Sequence, residues 1–185
     1  MDRLESLMAQ RLSPKRYNHS LGVAQTAVEL AESSGVEREK AWTAGLVHDY
    51  ARELPAEQLV ALARKLEVKD DFALNYPELL HGPVGAYLIK LELGIEDPEI
   101  LVAVTSHTLG RRKMGKLEQI IYLADMIEPA RNYHGVDSLR QQARSDFHSA
   151  VLSALDHTLR FLLEEGKPIH IRTIEARNYL LMGGE

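Results

Sequence analysis

Six nitrogen and oxygen donors interrupt otherwise apolar patterns in this chain: His19, His48, Asp49, His81, His107 and Asp125. The densest case is Ala44-Gly45-Leu46-Val47-His48-Asp49-Tyr50, an apolar helical run that ends in an imidazole beside a carboxylate. Burying either group without a partner costs free energy, and imidazole with carboxylate is a donor pair that divalent cations accept. Six donors match one octahedral cation, or two cations that share a carboxylate bridge and keep open positions. A structural zinc closes at about four ligands and would leave donors over. Taken singly, each residue has a plainer explanation. A lone histidine on a half-buried helix face is more often a hydrogen-bonded core or surface residue than a ligand. Asp49 can pair with Arg52, and Asp125 can sit near a helix end for electrostatic reasons. His134, His148, His157 and His170 share no such pattern.

The elements that must position these donors read as helices almost throughout. Ser13-Pro14 supplies an N-cap and a first-turn proline for a helix that carries His19 and stops at Ser33-Ser34-Gly35. With a first short helix on Leu4, Leu7 and Met8, a third is expected from about Glu37 to Arg52, and Pro55 starts a fourth with Leu59, Leu62, Ala63 and Leu66 as its stripe. Residues 67–80 are irregular, with turn signals at Asp70-Asp71 and Asn75-Tyr76-Pro77. His81-Gly82-Pro83 opens a helix closed by Gly94, and Asp97-Pro98 caps one that reaches His107. Leu117, Ile120, Ile121 and Ala124 lead to Asp125, and a pattern from Asp137 to Glu165 has a candidate break at Ser145-Asp146. The C-terminal helix begins near Thr173. Convincing period-2 strands and repeats are missing, so the expectation is one all-α domain over 1–185, a bundle of roughly eight helices with donors facing inward between them.

Composition narrows the function classes. There is no cysteine, which excludes disulfides, thiolate metal sites and thiol nucleophiles and fits a reducing cytosol. The formal net charge of −5 argues against bulk electrostatic binding of nucleic acid, although Arg111-Arg112-Lys113 is a local basic cluster. No signal-like start and no run of membrane-spanning length is seen. The expected localisation is cytoplasmic, with a small-molecule partner.

The order His19, His48-Asp49, Asp125, each on its own helix, resembles the HD-domain metal-dependent phosphohydrolase superfamily. Further segments are similar to the YqeK family of bacterial symmetrical diadenosine tetraphosphate hydrolases. They are Arg16-Tyr17-Asn18-His19-Ser20-Leu21-Gly22-Val23, Leu80-His81-Gly82-Pro83-Val84-Gly85-Ala86, Ser106-His107-Thr108 and Ile121-Tyr122-Leu123-Ala124-Asp125-Met126-Ile127-Glu128-Pro129-Ala130-Arg131. The ending Thr173-Ile174-Glu175-Ala176-Arg177-Asn178 fits as well, so the resemblance spans nearly the whole chain. A His-Asp doublet alone is a weak motif, whereas this ordered set is specific. One departure is Ala130, where the family pattern leads one to expect glycine before the arginine.

The resemblance implies a dinuclear centre, with iron as the expected metal and manganese, zinc or magnesium compatible with such donors. His19, His48, Asp49 and Asp125 would hold the first cation, and Asp49 would bridge to a second. His81 and His107 would complete the second cation's ligands or contact substrate phosphate. A shared water of lowered pKa would then attack an inner phosphorus, with ADP leaving, to give two ADP. Such a substrate brings several negative charges. Arg52, one helical turn beyond His48, and Arg131, just past Asp125, are candidate phosphate clamps, and Arg52 joins Asp49 as a catalytic candidate. Thr108 offers a hydroxyl and Gly82 a backbone N–H, while Asn18, Lys113 and Tyr133 are further candidate contacts. A homodimer is a family-level expectation. Two other readings compete: a different HD-type nucleotidase or phosphodiesterase, and a helical binding module without catalysis. No Gly-Tyr-Pro triplet marks the phosphodiesterase group with that signature, and the intact His19, His48, Asp49, Asp125 set opposes the inert module.

Overall fold

A computed structural model describes residues 2–184. Its helices are α1 (Asp2–Arg11), α2 (Pro14–Ser34), α3 (Arg38–Val47), α4 (Ala56–Lys65), α5 (Asp71–Asn75), α6 (His81–Leu93), α7 (Pro98–Ser106), α8 (Lys116–Ile127), α9 (Val136–Ser145), α10 (Phe147–Glu164) and α11 (Ile171–Leu181). A 3₁₀ turn over Pro77–Leu80 precedes α6. No strand occurs among the described residues, in accord with the all-α expectation. There are eleven helices rather than roughly eight. The surplus arises where polar caps restart the chain: Asp70 caps α5 through Ala73 N at 3.0 Å, and Asp146 caps α10 through Ser149 N at 3.0 Å. The Asp146 cap makes a real break of the one suspected at Ser145-Asp146.

α2 is the spine of the site. Ser13 caps it, Pro14 occupies its first position, and Gly35 ends it in the left-handed conformation. It packs along α3 and α8, so the helices that carry His19, His48 and Asp125 are neighbours. The α2–α3 approach depends on Gly45: a Cβ there would lie 2.7 Å from Ala24 Cα. Gly82 plays the same part between α6 and α7, with Thr105 O 2.7 Å from its would-be Cβ. Met8, Leu46, Leu80, Ile89, Ile121 and Leu155 are among the buried side chains of one core cluster. None of the helices is long and apolar enough to cross a membrane.

One boundary differs from the sequence expectation. α3 ends at Val47, and residues 48–53 form tight turns in place of further α-helix. Their backbone bonds run three residues back, from Tyr50 N to Val47 O, Arg52 N to Asp49 O and Leu54 N to Ala51 O. His48 and Asp49 therefore sit on a tightened helix end, both buried. That geometry frees Asp49 to face across the bundle.

Candidate metal centre

The six sequence candidates converge. Asp49 stands at the middle, with its two carboxylate oxygens aimed in different directions. Oδ2 lies 3.4 Å from His48 Nε2 and 3.7 Å from His19 Nε2. Oδ1 lies 3.3 Å from His81 Nε2 and 3.6 Å from His107 Nε2. Two overlapping ligand groups result, His19–His48–Asp49 and Asp49–His81–His107, each with donor atoms within 4.8 Å of one another. Asp125 flanks the first group, its Oδ1 being 3.0 Å from His19 Nε2 and 4.0 Å from His48 Nε2.

Local folding fixes the tautomers. His48, at the end of α3, donates Nδ1–H to Gly45 O at 2.7 Å, and His107, at the end of α7, donates to Val104 O at 2.7 Å. His81 donates to Glu78 O in the 3₁₀ turn. A carbonyl only accepts, so in each neutral ring Nδ1 carries the proton and Nε2 presents a lone pair. His19 Nδ1 meets Glu128 Oε1 at 3.1 Å, with the same consequence. Two of these nitrogens, His81 Nε2 and His107 Nε2, lie 2.9 Å apart. Two lone pairs at that separation repel unless a proton or a cation lies between them. His19 Nε2 and His48 Nε2 are buried without a hydrogen-bond partner among the described residues, a costly state for a polar atom. The donor set thus fits a metal centre on its own geometry.

The electrostatics agree. Burial pushes the Asp49 carboxyl upward, but the surrounding imidazoles, His48 foremost, hold it well below the ordinary carboxylate range. Burial would lower the His48 imidazole, yet Asp49 and Asp125 pull it above its usual value. His81 is pushed down by burial, with Asp49 opposing. The carboxylates ask for positive charge between the rings, which a cation supplies as well as a proton.

Sequence comparison places this arrangement in a family. The HD domain model matches residues 16–130, which hold His19, His48, Asp49, His81, His107 and Asp125. The chain belongs to the HD-domain family. Within that family it is 41 % identical over 176 residues to a protein of Halalkalibacterium halodurans, covering 95 % of this chain and 94 % of that one. It is 40 % identical over 185 residues to a protein of Bacillus subtilis, covering 99 % and 100 %. Both relatives bear the name symmetrical bis(5'-nucleosyl)-tetraphosphatase, so the YqeK-type resemblance of the motifs is borne out. A crystal structure from Clostridium acetobutylicum, described as an HD superfamily hydrolase involved in NAD metabolism, superposes with a TM-score of 0.94. It is 43 % identical, and the match covers 98 % of this chain and 97 % of that one.

Around the HD residues the remaining candidates divide. Arg52 Nη1 reaches Glu78 O at 3.2 Å and lies 3.3 Å from His81 Nδ1, so it borders the second group. Arg131 binds the Asp125 carboxylate and donates through Nε to Asp125 O at 2.7 Å. Thr108 Oγ1 is 3.1 Å from His107 Nε2 and 3.2 Å from His81 Nε2. Gly82 is buried against the α7 backbone, which accounts for the glycine by packing. Asn18 is exposed. The Tyr133 hydroxyl is committed to Met126 O at 3.0 Å and its ring to His157, so its groups are engaged in structure. Arg111, of the local basic cluster, is held by Glu118.

Two residues that contact the cluster do not stand out in the sequence. Arg16 Nη1 donates to Asp49 Oδ2 at 2.7 Å from one turn before His19. Its place in the Arg16-x-x-His19 segment was the available signal. Glu128 is buried and accepts both from His19 Nδ1 and, at 2.6 Å, from Ala130 N. Gly22 makes room for it, since a Cβ there would stand 2.9 Å from Glu128 Oε2. A carboxylate behind a ligating imidazole fixes ring orientation and raises its basicity.

Proposed function

We propose that this HD domain hydrolyses diadenosine tetraphosphate symmetrically, to two ADP, at a centre of two cations bridged by Asp49. One observation carries the reading: the two oxygens of Asp49 each face a separate pair of imidazole Nε2 atoms. His19, His48, Asp49 and Asp125 would hold one cation, and Asp49, His81 and His107 the other. The imidazole-rich, thiol-free donor set suits iron, and manganese and zinc meet the same donors. Bound cations supply Lewis-acid charge and lower the pKa of a coordinated water.

The chain's own residues do the rest. Asp49 holds both halves of the donor set in one geometry, and Arg16 neutralises part of its charge. Arg52 and Arg131 border opposite ends of the cluster and offer planar guanidinium groups to phosphate oxygens. Thr108 offers a hydroxyl beside His81 and His107. The oxygen of a water molecule bonds to one inner phosphorus while the central P–O bond breaks, and the proton the water gives up passes to solvent. The departing bridge oxygen leaves with the second ADP.

The test is product analysis. Metal-loaded protein incubated with diadenosine tetraphosphate is expected to give ADP alone. ATP plus AMP, or cleavage of mononucleotides with the tetraphosphate left intact, overturns the proposal in favour of another HD-type phosphohydrolase. Sedimentation velocity tests the homodimer that the resemblance implies.

A further inference from the structure

The two-cation scheme leaves one buried carboxylate without a role. Glu118, in the first turn of α8, is 4 % exposed, and both of its oxygens are taken. Oε1 accepts from Ser106 Oγ at 2.7 Å and from Arg111 Nε at 2.6 Å. Oε2 accepts from Arg111 Nη2 at 2.5 Å and from Gly115 N at 2.7 Å. A helix cap needs only the last of these bonds, and an exposed glutamate makes it with less loss of hydration. The other three tie α8 to the end of α7 and to the loop between them.

That loop begins with half of the second ligand group. His107 and Thr108 lie between Ser106 and Arg111, the two residues that Glu118 holds. The His107 ring is anchored by its Nδ1–H on Val104 O, inside α7, so its place follows the last turn of that helix. Its Nε2 has to meet His81 Nε2, 2.9 Å away on α6. Further along, Gly110 and Lys113 both take the left-handed conformation, at φ 66° and 60°, and Gln119 Nε2 donates to Met114 O at 2.9 Å. A left-handed lysine costs backbone free energy and persists only where its surroundings fix it. At the opposite end of α8, Glu128 faces His19 of the first group. One helix thus has a buried carboxylate at each end, one toward each half of the donor set.

We propose that Glu118 is the positioning residue of the second imidazole pair, holding His107 and Thr108 in register with His81 through Ser106 and Arg111. This rests on the two-cation reading above and adds what sets the geometry of the second half.

The experiment titrates zinc into wild type, Glu118→Gln, Ser106→Ala and Leu30→Ala, followed by NMR of the imidazole nitrogens, with melting temperatures alongside. Leu30 is buried on α2, about 16 Å along the helix from His19, so Leu30→Ala is the control for lost stability alone. Glu118→Gln keeps the size but turns an NH2 toward donors and leaves Arg111 without its counter-charge. It is expected to shift the His107 and His81 ring signals and to weaken the second zinc about tenfold. The first zinc and the His19 and His48 signals should stay near wild type. Ser106→Ala deletes one hydroxyl, a milder lesion that should fold in any case, and should move the same signals in the same direction. Leu30→Ala should lower the melting temperature and leave them in place. Unmoved His107 signals, with second-zinc affinity within about threefold of wild type in both variants, overturn the inference whatever the melting temperatures do. If wild type takes up one zinc only, the two-cation reading falls, and the His107 signals still decide the role of Glu118.

Discussion

Glu128→Gln keeps the size of a buried side chain while removing the charge that faces His19 Nδ1 at 3.1 Å. The one amide oxygen can still accept from the ring, with the NH2 turned to Ala130 N, so His19 should keep its orientation but lose basicity. Glu128→Ala goes further. It strips the ring's acceptor as well and leaves the imidazole free to turn. Carboxylates placed behind ligating histidines contribute about 10- to 100-fold in metal affinity, roughly 1.4–2.7 kcal/mol. The glutamine variant should fall at the lower end of that range and the alanine variant at the upper end. Gly22→Ala approaches the same carboxylate from α2, with its Cβ 2.9 Å from Oε2, and should weaken binding in the same direction. The assay is competitive titration of apo protein with iron, manganese or zinc against a chelator of known affinity. Circular dichroism checks that the helices persist. Metal affinity within about threefold of wild type in both Glu128 variants would refute the reasoning, because His19 would then need no carboxylate behind it.

Asp49→Ala should cut bound metal and abolish turnover together, since one side chain faces both imidazole pairs; near-normal turnover with full metal content would sink the bridged scheme. Arg52→Ala should mainly raise KM for the tetraphosphate, about tenfold for one lost guanidinium contact, as read by steady-state kinetics. Gly45→Ala should destabilise by about 1–3 kcal/mol, read as a lower melting temperature, because its Cβ meets the α2 backbone, which has no free end to move aside. Lys40 holds the Asp97 carboxyl below its ordinary value. A depressed carboxyl stabilises above its unfolded pKa of about 3.9 and loses that contribution as pH falls through the folded value. The melting-temperature gap between wild type and Asp97→Asn should therefore be open at neutral pH and close in acid.

Residue types at helix ends were enough to single out six polar groups that the fold brings together. His19, His48, Asp49, His81, His107 and Asp125 each break an apolar pattern, and such a break is legible because a buried polar group needs a reason. The caps at Ser13, Asp97 and Asp146 were equally local, and they set where helices start. The all-helical architecture followed from period and composition alone. Short α5 was missed because five residues carry too little periodicity to distinguish a helix from the turn signals around it. The end of α3 was misplaced because the pattern runs on through Arg52, while the chain tightens after Val47 for a tertiary reason: Asp49 must face both imidazole pairs.

Only the folded chain decided the rest. Which lone pair each histidine presents depends on a carbonyl three residues back in the same tightened turn, or on Glu128, 109 positions away. The 2.9 Å approach of His81 and His107 requires α6 and α7 to pack at Gly82, a contact that no sequence spacing encodes. Glu128 and Arg16 looked like ordinary charges until packing set one behind His19 and the other on Asp49. Sequence names the groups that cannot be buried alone, and tertiary structure determines which of them meet.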